Sequence, residues 1–157
     1  LEKFSDFKVV FTFPNADDQS RGLIQILEDY HRKNPSRSRL FKSMGQTRYL
    51  SAMSHCSAIL GNSSSGIIEA PTAQVPTVNI GDRQKGREAA GSVIHCSADV
   101  CEIISAINKA LNGENLVIKN PYGDGNASEK IIDILYSNEI NIGKKFYDIE
   151  ANDSWLK

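Results

Sequence analysis

The stretch "SAILGNSSSGIIEAP", residues 57–71, runs from a short apolar segment through two glycines and three serines into a helical pattern. A short apolar run that ends at glycine predicts a buried strand, here residues 57–60. The residues from Ser65 to Pro71 predict a short helix, because proline ends a helical pattern. A strand, a tight corner and a helix in this order are typical of one βα unit in a parallel sheet.

The rest of the chain repeats this alternation. Further strands are predicted at residues 8–13, 38–43, 76–80 and 92–95, and further helices from residue 20 to about 33, at 46–55, at 100–111 and in the segment after residue 120. The pattern predicts an α/β fold, a Rossmann-like parallel sheet with helices on both faces. We expect residues 1–118 to form this nucleotide-binding domain, 119–149 a strap and helix with a final turn at 144–149, and 150–157 a tail.

Composition excludes several classes of function. The 157 residues include 18 Lys and Arg against 19 Asp and Glu, a formal charge of −1, so no overall field attracts nucleic acid or an anionic membrane. No apolar run approaches the roughly 20 residues that span a bilayer, and no signal peptide is recognisable, so a cytoplasmic protein is expected. The chain does not begin with Met, and we expect it to be a fragment.

The three cysteines are interpreted as reduced, buried structural thiols. Cys56, Cys96 and Cys101 are odd in number and show no CxxC spacing, which disfavours a disulfide framework or a zinc site. The chain also has no GxxxxGK[ST] motif, which disfavours a phosphate loop with bound magnesium. We therefore expect neither a metal nor a cofactor.

The serine corner, residues 62–66, has the composition of an anion site. A helix N-terminus presents free backbone N–H groups and the positive end of the helix dipole, which suit phosphate. Ser63 and Ser64 would add hydroxyl donors, and Gly66 would relax the backbone. A helix capped by serine is the alternative interpretation of the same residues.

Charged residues near this corner extend the prediction from phosphate to a nucleotide. Glu69, one helical turn further on, could accept the two vicinal hydroxyls of a ribose, or could simply be a glutamate that is favourable near a helix N-terminus. Arg83, Lys85 and Arg87 follow the next strand, and loops after parallel strands meet at one edge of the sheet. They would meet the same anion, unless they form a solvated basic loop.

Four motifs in order resemble one known family. The segments "TFPNADDQS", "GNSSSGIIEA", "PTVNIGDRQKGRE" and "NPYGDGNASEKI" are similar to the C-terminal domain of hydrolysing UDP-N-acetylglucosamine 2-epimerases, over residues 7–149. The resemblance implies half of a two-domain fold like that of GT-B glycosyltransferases. It also implies a reaction in which anti elimination of UDP leaves a 2-acetamidoglucal, and water then adds to give free N-acetylmannosamine, a precursor of sialic acid.

The resemblance also implies a role for individual residues of this chain. It assigns Ser63 and Ser64 to the diphosphate, Arg83 to phosphate and Glu69 to the ribose. Asn15 would lie near the nucleotide, and Arg21 and the loop from Phe41 to Met44 near the diphosphate and uracil. The predicted UDP-binding residues are Asn15, Arg21, Phe41, Met44, Asn62, Ser63, Ser64, Gly66, Glu69 and Arg83. No catalytic residue is expected in this chain, because the family's acidic catalytic residues lie in its N-terminal domain. The chain alone is therefore expected to be inactive.

The resemblance further implies that parts of the enzyme are absent. A loop histidine and the first strand of the domain would precede Leu1 in the chain. In the sheet, that strand would be central, between the strands at 8–13 and 57–60. Either the sheet closes over that gap or the chain pairs with something else. His31, His55 and His95 are given ordinary structural roles. The expected partners are UDP or a UDP-sugar, the missing N-terminal domain and further copies of the chain.

Two other functions remain open at this level. The chain could be the donor-nucleotide domain of a GT-B glycosyltransferase, which would transfer a sugar to an acceptor rather than release it. It could also be a non-catalytic module that binds a nucleotide sugar. The products of the full-length protein would separate the two enzyme classes, and acidic residues facing the cleft would argue against the module.

Overall fold

The computed structural model describes residues 1–14, 20–113, 118–138 and 143. The predictions for Asn15, for a final turn at 144–149 and for a tail at 150–157 lie outside these residues. The chain divides into two units, Leu1–Pro121 and Tyr122–Lys157. Among the described residues, no helix is both long enough and apolar enough to cross a membrane.

The first unit alternates strands with helices, as predicted. Its strands are β1 Val9–Thr12, β2 Ser38–Phe41, β3 Ile59–Gly61, β4 Thr77–Ile80 and β5 Val93–Cys96. Its helices are a short 3-10 helix at Glu2–Phe4, then α1 Ser20–Lys33, α2 Gly45–Met53, α3 Ser65–Ile68 and α4 Val100–Asn112. All strand pairs are parallel, which confirms the α/β fold class.

The strands form two sheets instead of one. β1 pairs with β2, and β4 lies between β3 and β5 in a three-stranded sheet. Within the described residues no ladder joins β1 to β3, so of the two alternatives left open, the sheet does not close over the gap. Val10 of β1 and Leu60 of β3 stay 48% and 40% exposed. Such exposure is unusual for parallel strands, which are normally covered on both faces.

Helices cover both faces of the three-stranded sheet. Successive side chains of a strand point to opposite faces, so Thr77 and Val78 of β4 face opposite ways. Val78 is fully buried against Ala106 and Ile107 of α4. Thr77, on the other face, lies next to Gly66 of α3. This arrangement places α3, and with it the serine corner, at the carboxyl end of β3.

The long helix α4 shows how local sequence sets its boundaries. The Asp99 carboxylate accepts hydrogen bonds from the backbone N–H groups of Cys101 and Glu102, at 2.8 and 3.0 Å, which caps the N-terminus. Gly113 ends the helix with a φ of 65°, in the left-handed region that glycine favours. Both boundaries agree with the sequence prediction.

The cysteines are free thiols, but they are not uniformly buried as predicted. Cys56 and Cys101 are exposed, and Cys96 is partly buried at the end of β5. Cys56 lies just after α2 and Cys101 lies in the first turn of α4, where residues on the outer side of a helix meet solvent. Although Cys56 as a residue is exposed, neighbouring atoms partly shield its thiol from water, and this desolvation raises its pKa. Desolvation also raises the pKa of the Cys96 thiol, and the negative charge of Glu102 adds to the effect there.

The second unit contains α5, Ala127–Ser137. Ahead of this helix, Asp124 accepts a hydrogen bond from the Asn126 backbone N–H at 3.1 Å and pairs with the Lys130 ammonium group at 3.1 Å. These contacts hold the pKa of Asp124 at about 2. Four apolar side chains of α5 are at least half exposed: Ile131, Ile132, Ile134 and Leu135.

Candidate nucleotide-binding site

The serine corner follows β3 and leads directly into α3. Gly61 ends the strand with a φ of 146°, and Ser64 stands immediately before the helix. Ser63 is exposed and Ser64 is partly exposed, so both hydroxyls can reach a ligand in solution. The Ser65 hydroxyl is already engaged, because it lies 2.8 Å from the Tyr49 hydroxyl of α2.

Helix α3 is shorter than predicted. It ends at Ile68 rather than Pro71, and the chain continues in turns. Proline lacks a backbone N–H and disfavours helical geometry in the residue before it, which explains the early end. The Ala70 N–H accordingly donates to the Ser65 carbonyl at 3.0 Å, one residue beyond the regular helical partner.

Gly66 is required by close packing rather than by backbone freedom. Its φ is not among the positive values found in the described residues, so the predicted role in relaxing the backbone is wrong. A Cβ atom at Gly66 would lie only 2.6 Å from Cγ2 of Thr77. The missing side chain therefore lets the first turn of α3 rest directly on β4.

Glu69 lies just beyond the end of α3 instead of inside the helix, because the helix is shorter than predicted. It follows Ile68 immediately, in helical conformation, and its N–H donates to the Ser65 carbonyl. The residue is exposed, about one turn from the serine corner. Glu69 is therefore accessible from solvent.

The basic loop, residues 81–87, follows β4 at the same edge of the sheet. Its start is fixed by the Gly81 N–H, which donates to the Cys96 carbonyl at 2.8 Å, while Gly81 has a φ of 78°. Arg83, Lys85 and Arg87 are exposed. Among the described residues, none forms a hydrogen bond or ion pair with the Arg83 guanidinium.

Gln84 joins the basic loop to the serine corner. Its side chain is only 3% exposed, and its Nε2 donates to the backbone carbonyl of Asn62 at 2.8 Å. Sequence reasoning missed this residue, because a glutamine between an arginine and a lysine looks like part of a solvated loop. Only the folded chain shows that the amide points inward.

The other predicted residues lie on elements other than β3, α3 and the basic loop. Phe41 ends β2 and is 40% exposed, Met44 is half-buried just before α2, and Arg21 is exposed in the first turn of α1. No hydrogen bond links Arg21 to the serine corner in the part of the chain that the structure describes. Their roles toward a nucleotide remain predictions.

A cavity of about 630 Å³ lies beyond the carboxyl ends of β4 and β5. Its walls include Gln84, Arg87, His95 and Glu102, but not the serines or Glu69. It therefore adjoins the serine corner without being the same site. Gln84 is common to both, since it lines the cavity and also contacts Asn62.

The histidines have local structural partners. His31 lies 2.8 Å from the Ser38 hydroxyl, His55 lies 2.8 Å from the Ser51 carbonyl, and His95 lies 3.0 Å from the Asn79 amide. In the described ranges, no group of three or more His, Cys, Asp or Glu side chains is arranged to hold a metal ion.

Comparison with known proteins points to one family. The sequence profile described as UDP-N-acetylglucosamine 2-epimerase matches residues 1–136. The GDP/UDP-N,N'-diacetylbacillosamine 2-epimerase (hydrolyzing) of Campylobacter jejuni is 42% identical over 94 residues, which cover 60% of this chain and 24% of that protein. The polysialic acid biosynthesis protein P7 of Escherichia coli is 35% identical over 147 residues, which cover 89% of this chain and 37% of that protein.

A solved structure supports the same grouping. The crystal structure of UDP-GlcNAc 2-epimerase from Neisseria meningitidis, bound to UDP-GlcNAc, superimposes with a TM-score of 0.65 at 25% sequence identity. The match covers 87% of this chain and 38% of that one. The chain thus spans well under half the length of the proteins that it resembles.

Proposed function

This chain belongs to the UDP-N-acetylglucosamine 2-epimerase family, and from that membership we propose that it is the UDP-binding C-terminal part of a hydrolysing 2-epimerase. One observation carries the proposal. The hydrogen bond from Gln84 to the Asn62 carbonyl holds the basic loop against the serine corner. Two segments with donors for phosphate, from different strand ends, are thereby held at one place.

The proposed site divides the diphosphate between these two segments. Ser63 and Ser64 donate from their hydroxyls, and Arg83 supplies the positive charge. The diphosphate is the leaving group in the proposed elimination, and its negative charge grows as the bond to the sugar breaks. Donors that are already held in position stabilise such charge without reorganising, which is the contribution expected of this half of the enzyme.

The nucleoside is assigned to residues around the same corner. Glu69 is assigned to accept hydrogen bonds from the ribose hydroxyls, and Asn15 is assigned near the nucleotide. Arg21, Phe41 and Met44 are assigned near the diphosphate and uracil. The ribose assignment predicts that Glu69→Gln loses much of the parent's preference for UDP over 2′-deoxy-UDP, because an amide is a poorer acceptor for two donors. An unchanged preference would leave Glu69 as a residue that only stabilises the helix.

The complete enzyme would convert UDP-N-acetylglucosamine and water into N-acetylmannosamine and UDP. Elimination first releases UDP and leaves a 2-acetamidoglucal, and hydration then gives the free sugar. The acid and base for these steps are assigned to the N-terminal part of the enzyme. The 42% identity with an enzyme named for a diacetylbacillosamine substrate favours, as a second candidate, a UDP-sugar that carries a further acetamido group.

Cellular location and assembly are part of the same proposal. Exposed free thiols at Cys56 and Cys101 favour a reducing compartment, and we assign the protein to the cytoplasm. The exposed apolar side chains of α5 favour association, with the N-terminal domain or with further copies of the chain. Cell fractionation tests the first assignment, and light scattering of the purified chain tests the second.

Titration of the purified chain with UDP and with uridine tests the proposed site. We expect Arg83→Ala to weaken UDP binding by about 1.5–3 kcal/mol, the usual loss for a hydrogen bond to a charged group. This corresponds to roughly 10- to 150-fold in the dissociation constant. Uridine, which has no phosphate, should bind the variant and the parent equally.

Arg32→Ala is the matched control, because it removes an exposed arginine of α1 whose ion pair, among the described residues, is with the nearby Asp29. It should leave UDP affinity unchanged. Equal losses for UDP and uridine in Arg83→Ala would contradict the phosphate assignment. Release of a glycosylated acceptor, rather than a free sugar, by the full-length protein would instead favour a GT-B glycosyltransferase.

A further inference from the structure

Gln84 combines burial, one donated hydrogen bond and one acceptor without a partner among the described residues. Its side chain is 97% buried, since only 3% of its surface is exposed. Its Nε2 donates to the Asn62 carbonyl, so the amide orientation follows from the partner, which can only accept. Its Oε1 is buried and meets no donor among the described residues.

The Gln84 Oε1 has no donor among the described residues, so only the amide NH₂ contributes a hydrogen bond to the fold. A buried acceptor without a partner loses its hydration and gains no bond in return, and an apolar side chain of the same shape would avoid that cost. Proteins keep such a less stable side chain where it contributes to function. The amide NH₂ of Gln84 indicates that contribution, because it donates to Asn62 of the serine corner.

The position of Gln84 in the chain connects this bond to Arg83. The two residues are neighbours in the basic loop, so fixing the Gln84 side chain also fixes the backbone that carries Arg83. The loop is further closed by two backbone bonds, from Lys85 to Asp82 at 2.9 Å and from Arg87 to Gln84 at 3.2 Å. These bonds lie within the loop and do not set its distance from the serines. Among the described loop residues, only Gln84 forms a hydrogen bond with the serine corner.

We propose that Gln84 is a positioning residue, which sets the distance between Arg83 and the serine corner so that both engage one diphosphate. This inference rests on the proposed function, because it presumes that the corner binds UDP. Gln84 itself does not touch the ligand. Its contribution to binding is to place Arg83 relative to Asn62 of the serine corner.

The decisive variant is Gln84→Met. Methionine has a similar length and flexibility and fills the same space, but it removes both the donor to Asn62 and the unpaired Oε1. The Asn62 carbonyl then becomes free, and since Asn62 is exposed, water can hydrate it. We therefore expect an unchanged or higher melting temperature together with roughly tenfold weaker UDP binding.

Three further measurements separate positioning from a merely structural role. Uridine affinity should not change in Gln84→Met. The double variant with Arg83→Ala should bind UDP as Arg83→Ala alone does, because coupled residues lose their effect together. Gln84→Asn, whose amide is one methylene too short to reach Asn62, should show the same loss of UDP binding and serves if the methionine variant does not fold.

Gln74→Met is the control for losing a glutamine hydrogen bond away from the site, at an exposed position. Gln74 also donates its amide to backbone carbonyls, those of Pro71 and Ile118, at 3.0 and 3.3 Å, but it does not contact the basic loop. Its replacement should leave UDP affinity unchanged. A similar loss of UDP binding in the control would mean that any such glutamine matters only for the fold.

The outcomes distinguish this inference from the function on which it rests. If the parent chain binds UDP and Arg83→Ala weakens that binding, but Gln84→Met does not, the positioning role is wrong and the UDP site stands. A lower melting temperature with equal losses for UDP and uridine also overturns it. If the parent does not bind UDP at all, both the proposed function and this inference fail.

Discussion

Gly66 illustrates how one missing side chain can determine local architecture. Buried Thr77 lies under the first turn of α3, and a Cβ atom at residue 66 would approach its Cγ2 to 2.6 Å. Because threonine is branched at Cβ and held in a strand, it can give way only by shifting the helix or its own rotamer. The glycine therefore keeps the serine corner close to β4.

Gly66→Ala should destabilise the chain by about 1–3 kcal/mol, the usual cost of overpacking a filled interior. Urea unfolding measures the change. Gly22→Ala in α1 is the matched control, since a Cβ atom there would meet nothing within 4 Å. Alanine should stabilise that helix by about 0.5–1 kcal/mol. Equal unfolding midpoints for Gly66→Ala and the parent would show that Thr77 moves aside without cost.

At the residue scale, sequence reasoning identified the exposed polar residues but not the buried contact that joins their two segments. Ser63, Ser64 and Glu69 could be singled out because their residue types and spacing suit a nucleotide at a helix start. Gln84 could not, because nothing in its neighbourhood distinguishes a buried amide from a solvated one. Its role depends on Asn62, a residue that is 22 positions away in the chain.

At the element scale, the start of α5 provides a pH-dependent contact. Asp124 is held at a pKa of about 2, first by the Asn126 backbone N–H and then by the Lys130 side chain. Its folded pKa lies below the ordinary value of 3.8, so the stabilisation is present above about pH 4 and is lost as the pH falls toward 2. We expect the start of α5 to loosen over that window.

Carboxyl-detected NMR of Asp124 measures this directly. Lys130→Met should raise the Asp124 pKa but keep it below 3.8, because the Asn126 N–H remains. Lys130→Arg, which preserves the charge, should leave the pKa low. An Asp124 pKa near 3.8 in the parent would mean that the contact does not persist in solution.

The boundaries of the elements were largely predictable because they depend on neighbouring residues. Asp99 and Gly113 bound α4 through a cap and a left-handed residue, both of which are visible as residue types. The end of α3 was placed too late. Pro71 was known to stop the helix, but its effect on the preceding turn reaches back to Ile68.

For the whole molecule, the proposal assigns UDP binding to this chain and proton transfer to the N-terminal domain, and this leads to a further prediction. The purified chain should bind UDP but release no N-acetylmannosamine from UDP-N-acetylglucosamine, because elimination needs an acid and a base close to the sugar. The residues assigned here converge on phosphate and ribose instead. Sugar release followed by chromatography, with the full-length protein as positive control, measures this. Turnover by the chain alone would place catalytic groups in this half.

The sequence by itself determined the order of strands and helices, the α/β class and the family. These follow from periodicity, helix caps and short motifs, all of which act over a few neighbouring residues. The tertiary structure alone decided that the strands divide into two sheets, that Gly66 rests on Thr77, and that Gln84 joins the basic loop to the serine corner. Each of these depends on residues from separate elements, and pairing between distant segments is set by the packing of the whole chain rather than by local preference.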